Sequence, residues 1–116
     1  MSDDLNHPYS VAVEVGDLAL LSGCLPVTED GSLVTGGREA LDAAFGTVGR
    51  RLATLGLGLK DVVKLTYYVT DISLRDHANQ QYVDTWSKPR PARTVIGVAS
   101  LPYGASVEID VFARRV

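Results

Sequence analysis

The hydrophobic period of this chain changes at Arg38, and no other feature limits its fold as much. Leu41, Phe45, Val48, Leu52 and Leu55 recur at spacings of four, three, four and three, one apolar stripe of an amphipathic helix. Gly56 supplies a left-handed stop. Gly46 and Gly49 weaken this helix by about 1 kcal/mol each relative to alanine, and are expected where it approaches a sheet closely. From Asp61 to Thr70 the period drops to two. Val63, Leu65, Tyr67 and Val69 are predicted to share one strand face, and Val62, Lys64, Thr66 and Tyr68 the other.

The same two periods organise the rest of the chain. Residues 1–8 are polar and read as an arm ending at Pro8. Val11, Val13 and Val15 alternate with Ala12 and Glu14 as a half-buried strand, Gly16-Asp17 makes a tight turn, and Leu18 to Ser22 returns as the second strand of a hairpin. Residues 23–37 are punctuated by Pro26, Asp30, Gly31, Gly36 and Gly37 and read as a loop. Asp71 to Ser73 offer helix caps, with Asp76 completing a capping box on Ser73. Leu74, Ala78, Tyr82 and Trp86 form the buried edge of a second helix. Pro89 and Pro91 end it and deliver an extended chain to a strand over residues 93–99. A turn at 101–104 leads to a last strand from Ser106 to Ala113.

The order β-β-α-β-α-β-β in 116 residues predicts one α+β domain over residues 1–116, with both helices on one face of a sheet. The other face carries Val, Leu, Tyr and Phe side chains with no element left to cover them, which predicts self-association. Tyr67 and Tyr68 point to opposite faces, one to the core and one to that interface.

Charge narrows the partners. The net charge of -3 argues against nucleic acid as the main ligand, because phosphate neutralisation needs a basic surface. Arg50-Arg51 and Arg114-Arg115 read as a solvated face and a chain end. The single cysteine, Cys24, allows no intrachain disulfide and reads as a small buried side chain in a reducing compartment. No apolar run approaches the roughly 18 residues that cross a membrane. The acidic N-terminus lacks a signal-peptide pattern, so the expected location is cytoplasmic, with no membrane partner. His7 and His77 are isolated, and no metal-ligand spacing is present.

Two charges stand inside strand-like apolar segments. Arg93 opens the run Thr94 to Ala99, and Glu108 sits between Val107 and Ile109. Such charges are costly unless paired, solvated in a cleft or engaged with a ligand. The arginine fork matches a carboxylate, and a glutamate can hold or deprotonate a water. On the residues alone, a small hydrolytic site and a structural ion pair across neighbouring strands both remain open.

Several segments, in order, extend the pattern: Pro8-Tyr9-Ser10 with Ala12-Val13, Val15-Gly16-Asp17, Leu21-Ser22-Gly23, Asp61-Val62-Val63-Lys64, Asn79 with Tyr82, Pro91-Ala92-Arg93, Leu101-Pro102 with Gly104-Ala105, and Val107-Glu108-Ile109. With them the chain resembles the RidA (YjgF) family of enamine/imine deaminases, some members of which are also called translation inhibitors or endoribonucleases. The resemblance implies a chorismate-mutase-like fold with a mixed sheet, and a homotrimer whose sheets face a common centre, with active sites at the subunit interfaces. It implies Arg93 for the substrate carboxylate and Glu108 for the catalytic water. Tyr9 and Ser22 would line the pocket, Asn79 would stand beside it, and the backbone at Gly23 and Val95 would touch substrate or water. The implied reaction is hydrolysis of 2-imino acids to 2-keto acids and ammonia, without metal or organic cofactor, as damage control beside pyridoxal-phosphate enzymes. The chain departs from the family at Val11 and Cys24, where glutamine is frequent, at Val95, often cysteine, and in a short segment between Trp86 and Pro91. Two other readings stand beside this one. One is a regulatory trimer that binds carboxylic acids without turnover. The other is a ribonuclease, against which two scattered histidines and an acidic chain argue.

Overall fold

Gly16 takes φ +61° and closes the first turn. The turn joins β1 (Ala12–Val15) to β2 (Leu18–Cys24) with Val15 opposite Leu18. The structure is a computed structural model that describes residues 8–116. The predicted arm falls outside them except for Pro8, as does His7. Helix α1 (Arg38–Ala53) is followed by β3 (Val62–Val69), α2 (Arg75–Thr85), β4 (Ala92–Gly97) and β5 (Val107–Arg114), in the predicted order. Gly56, at φ +75°, turns the chain away after α1. The sheet runs β1-β2-β5-β3-β4; β3 and β4 are parallel and the other pairs antiparallel.

Both helices cover the face carrying Leu21, Leu65, Tyr67, Ile109 and Val111. Phe45 of α1 stacks on Tyr67 with ring centroids 6.1 Å apart. The Tyr67 hydroxyl donates to Gln81 Oε1 of α2 (3.0 Å), and Gln81 Nε2 donates to Asp42 Oδ1 of α1 (2.9 Å). This chain of bonds satisfies a buried phenol and a buried amide, and it ties three elements together. Burial pushes the Tyr67 hydroxyl far above its usual pKa, so it stays protonated as that donor.

The opposite face is open. Val13, Val15 and Phe112 are 48%, 60% and 42% exposed there, and Leu20 lies between Val13 and Phe112 in register. The valines of β1 thus point away from the helices. Tyr68 also lies on this face and donates to Asp110 Oδ2 (3.1 Å), while Tyr67 is in the core.

The structure corrects three local expectations. The β3–β5 register shifts between Val62 and Lys64, so Val62 turns inward and Val63 is exposed. Asp71, not Ser73 with Asp76, caps the second helical region, by accepting from the Ser73 N–H (2.9 Å) at the short helical turn Ile72–Leu74. Gly46 and Gly49 mark no close approach to the sheet: a methyl at Gly49 would meet nothing within 4 Å, and one at Gly46 only the Arg50 head of the same helix, at 3.3 Å. Gly49→Ala is therefore expected to stabilise the fold by about 0.5–1 kcal/mol. The measurement is a urea titration, in which the midpoint rises at constant slope; an unchanged or lower midpoint would contradict the packing described.

Candidate active site

Strand parity sorts the candidate residues into two clusters. Arg93 is opposite Leu65, and Glu108 is opposite Tyr68. Leu65 and Tyr68 stand an odd number of positions apart on β3, so the two charges project from opposite faces of the sheet. β3 also lies between β4 and β5. Two strand spacings and a three-residue offset place the two Cα atoms about 14 Å apart, with diverging side chains. This removes the cross-strand ion pair, and one chain does not bring the two groups together.

The Arg93 cluster lies on the helix side at the β4 edge. The guanidinium carbon sits 4.8 Å from the Tyr82 ring centroid and 5.9 Å from that of Tyr67. Tyr82 is held in turn by its hydroxyl, which donates to the Pro91 carbonyl. Nη1 of Arg93 is shut away from solvent and has no hydrogen-bond partner among the described residues. A buried N–H without an acceptor costs about 1–3 kcal/mol, so the cost of burying this donor is not offset by any hydrogen bond among the described residues. Val95 follows on the same face, opposite Tyr67. Asn79 is half-buried one turn before Tyr82 on α2.

The Glu108 cluster lies on the open face. β2 bulges here: Leu21 is opposite Val111 and Cys24 opposite Ile109, so Ser22 and Gly23 face the single residue Asp110. A Cβ on Gly23 would fall 2.5 Å from Glu108 Oε2, so the carboxylate occupies the space that glycine leaves free. Ser22 Oγ donates to the Ser10 carbonyl (2.6 Å), and this ties the segment carrying exposed Tyr9 to the same end of β2. Burial first, then the Asp110 carboxylate, raises the Glu108 pKa above the usual carboxylate value, and Arg51 opposes them. A carboxyl so placed takes and returns a proton closer to neutral pH than an exposed one. Among the described residues, no three His, Cys, Asp or Glu side chains gather as metal ligands would.

Two contributors differ from their sequence reading. Tyr82, read as core, is the platform under Arg93. Arg51, read as solvated, is only 6% exposed and donates from Nη1 to the Gly23 carbonyl (3.2 Å). The helical phase Ala44, Val48, Arg51, Leu55 carries the signal for its burial, since Arg51 occupies an inward position of the stripe.

The sequence matches the family described as Endoribonuclease L-PSP over residues 2–115. A RutC family protein of Aquifex aeolicus is 38% identical over 111 residues, spanning 93% of this chain and 89% of that one. A Dermatophagoides farinae protein named 2-iminobutanoate/2-iminopropanoate deaminase is 33% identical over 105 residues, 89% of this chain and 82% of its own. Among solved structures, RidA from an Antarctic Psychrobacter superposes with TM-score 0.87 at 33% identity, covering 96% of this chain and 91% of that one.

Proposed function

This chain belongs to the RidA (YjgF) family, and on that premise we propose that it hydrolyses reactive 2-imino acids to 2-keto acids and ammonia. It works as a cytoplasmic homotrimer with sites at the subunit seams. The observation that carries this reading is the Arg93 head, stacked on Tyr82 with an orphaned N–H. An acid-bearing small molecule supplies the acceptor that the fold withholds. Because Glu108 faces the other side of the sheet, Arg93 of one protomer works with Glu108 of the next. The exposed Val13, Val15 and Phe112 give the protomers an apolar face to bury in forming that seam.

In the reaction, an enamine acid first tautomerises to its imine. Arg93 grips the carboxylate in two parallel bonds and fixes the imine carbon relative to Glu108. Glu108 accepts a proton from a water as the oxygen bonds to that carbon, and passes it to the imine nitrogen to give a neutral carbinolamine. In the collapse Glu108 takes the hydroxyl proton as the C=O bond forms and delivers it to the nitrogen as the C–N bond breaks, so that ammonia leaves a 2-keto acid. Ser22, Gly23 and Tyr9 wall the water side, and Val95 and Asn79 wall the carboxylate side.

The test couples a serine or threonine dehydratase to the protein and follows the imine by absorbance. Faster decay than without the protein is expected; the uncatalysed rate at saturating protein would end the deaminase reading. Binding of 2-oxobutanoate without acceleration would instead favour a regulatory trimer. Gly23→Ala gives a sharper check, because the added methyl displaces the Glu108 carboxylate. Its kcat is expected to fall by about 10- to 100-fold with little change in melting temperature; a kcat within about twofold of wild type would separate Glu108 from the chemistry.

A further inference from the structure

We propose that Arg51 is a positioning residue for Glu108: from α1 it grips the carbonyls of the Ser22–Gly23 bulge and so sets the backbone against which the Glu108 carboxylate rests. The inference deepens the proposed function and rests on Glu108 as the water-handling acid.

A bulge breaks the ladder and leaves strand carbonyls in need of other donors. Here the break falls between Leu21 and Cys24, and Arg51 meets it from the helix side. Nη1 donates to Gly23 O at 3.2 Å and reaches Ser22 O and Cys24 Sγ at the longer distance of 3.5 Å. Among side chains on α1, only a long cationic one spans helix to bulge while offering several donors. Burying a guanidinium is costly, so its place inside the apolar stripe is explained by the acceptors it covers.

Glu108 meets the other side of the same glycine, where its Oε2 would lie 2.5 Å from an added Cβ. Gly23 is therefore clamped between a fixed cation and the working carboxylate. A shift of the bulge moves the wall that Glu108 packs on. Among the described residues, the charged and titratable groups around Glu108 are Asp110 on its own strand, Tyr68 opposite it on β3, and Arg51 from α1. Arg51 is the cation in that set. It counters the burial and the Asp110 charge that favour protonation of Glu108, so its loss lets Glu108 keep a proton to higher pH.

The test follows the Glu108 carboxyl carbon by NMR through a pH titration, assigned by its disappearance in Glu108→Gln, together with the pH dependence of imine hydrolysis. In Arg51→Met the Glu108 titration is expected to move to higher pH. The acid limb of kcat should move with it, and kcat below the limb should fall by at least about 10-fold with KM nearly unchanged. If Arg51→Met does not fold, two milder variants decide. Arg51→Gln keeps a donor for the Gly23 carbonyl without the charge and should shift the titration upward. Arg51→Lys keeps the charge and should not. Identical Glu108 titrations in wild type and the neutral variants overturn the proposal, even if the melting temperature falls. A shifted titration in a protein that does not hydrolyse imines would leave Arg51 in this role and remove only the deaminase reading.

Discussion

Arg93→Ala is expected to lower kcat/KM for 2-imino acids by about 10²- to 10⁴-fold and leave the fold intact. On the proposed function, the loss falls on a two-point grip of the substrate carboxylate, and with it on the orientation of the imine carbon. The fold loses little, because the Arg93 head forms no ion pair among the described residues and one of its buried nitrogens is unsatisfied. Removing that orphaned donor offsets the lost stacking on Tyr82. Arg93→Lys retains charge without the planar fork and should recover only part of the activity. The measurement is steady-state decay of the imine in the coupled dehydratase assay, beside a thermal melt. Activity within about threefold of wild type would show that the anchor lies elsewhere.

Glu108→Gln should be the cleaner loss. The amide keeps the shape beside Gly23 but takes no proton, so kcat is expected to fall by about 10²- to 10⁴-fold. Binding of 2-oxobutanoate, measured calorimetrically, should survive. Stability should change in the opposite sense to activity. The folded state raises the Glu108 pKa through burial and the Asp110 charge, so it holds this proton to higher pH than the unfolded chain. Ionisation therefore costs stability as pH rises from the ordinary value of 4.5 through the folded pKa, and the cost persists above it. Glu108→Gln removes that cost, so its melting temperature should exceed that of wild type at neutral pH. Their difference should become smaller in acid, below 4.5, where Glu108 is protonated in both states. A variant that hydrolyses imines at the wild-type rate would take Glu108 out of the mechanism.

The parts of this fold governed by local period were legible in the sequence. The stripe from Leu41 to Leu55 and the alternation through Leu65, Tyr67 and Val69 place α1 and β3 because each pattern buries only one face of its element. Parity failed at Val62 and Val63, where a bulge against β5 shifts the register. A bulge is an agreement between two strands, and β3 alone carries no trace of it. Gly46 and Gly49 misled for a related reason. A glycine weakens a helix wherever it sits, and nothing in the sequence shows whether a neighbour approaches it.

The candidate site was legible in its residues more than in its arrangement. Arg93 and Glu108 stood out because a charge in an apolar strand needs an explanation. Their placement on opposite faces follows from the order β5-β3-β4, a pairing between segments distant in sequence. Arg51 was concealed by its neighbour: two adjacent arginines look like a solvated patch, although one hundred-degree step around the helix carries Arg51 into the apolar stripe, and Arg50 itself is half-buried and donates to the Val27 carbonyl (3.0 Å). Tyr82 belongs to the core in part: its ring contacts Trp86 at 5.7 Å, and its other contact is the Arg93 head.

If each site takes its guanidinium from one protomer and its carboxylate from the next, two inactive variants must repair one another. Arg93→Ala and Glu108→Gln chains, co-expressed in equal amounts and shown by native mass spectrometry to share trimers, should regain about a quarter of wild-type activity, the fraction of seams that receive both intact groups by chance. Mixed trimers no more active than either parent would mean that the two groups never meet across a seam.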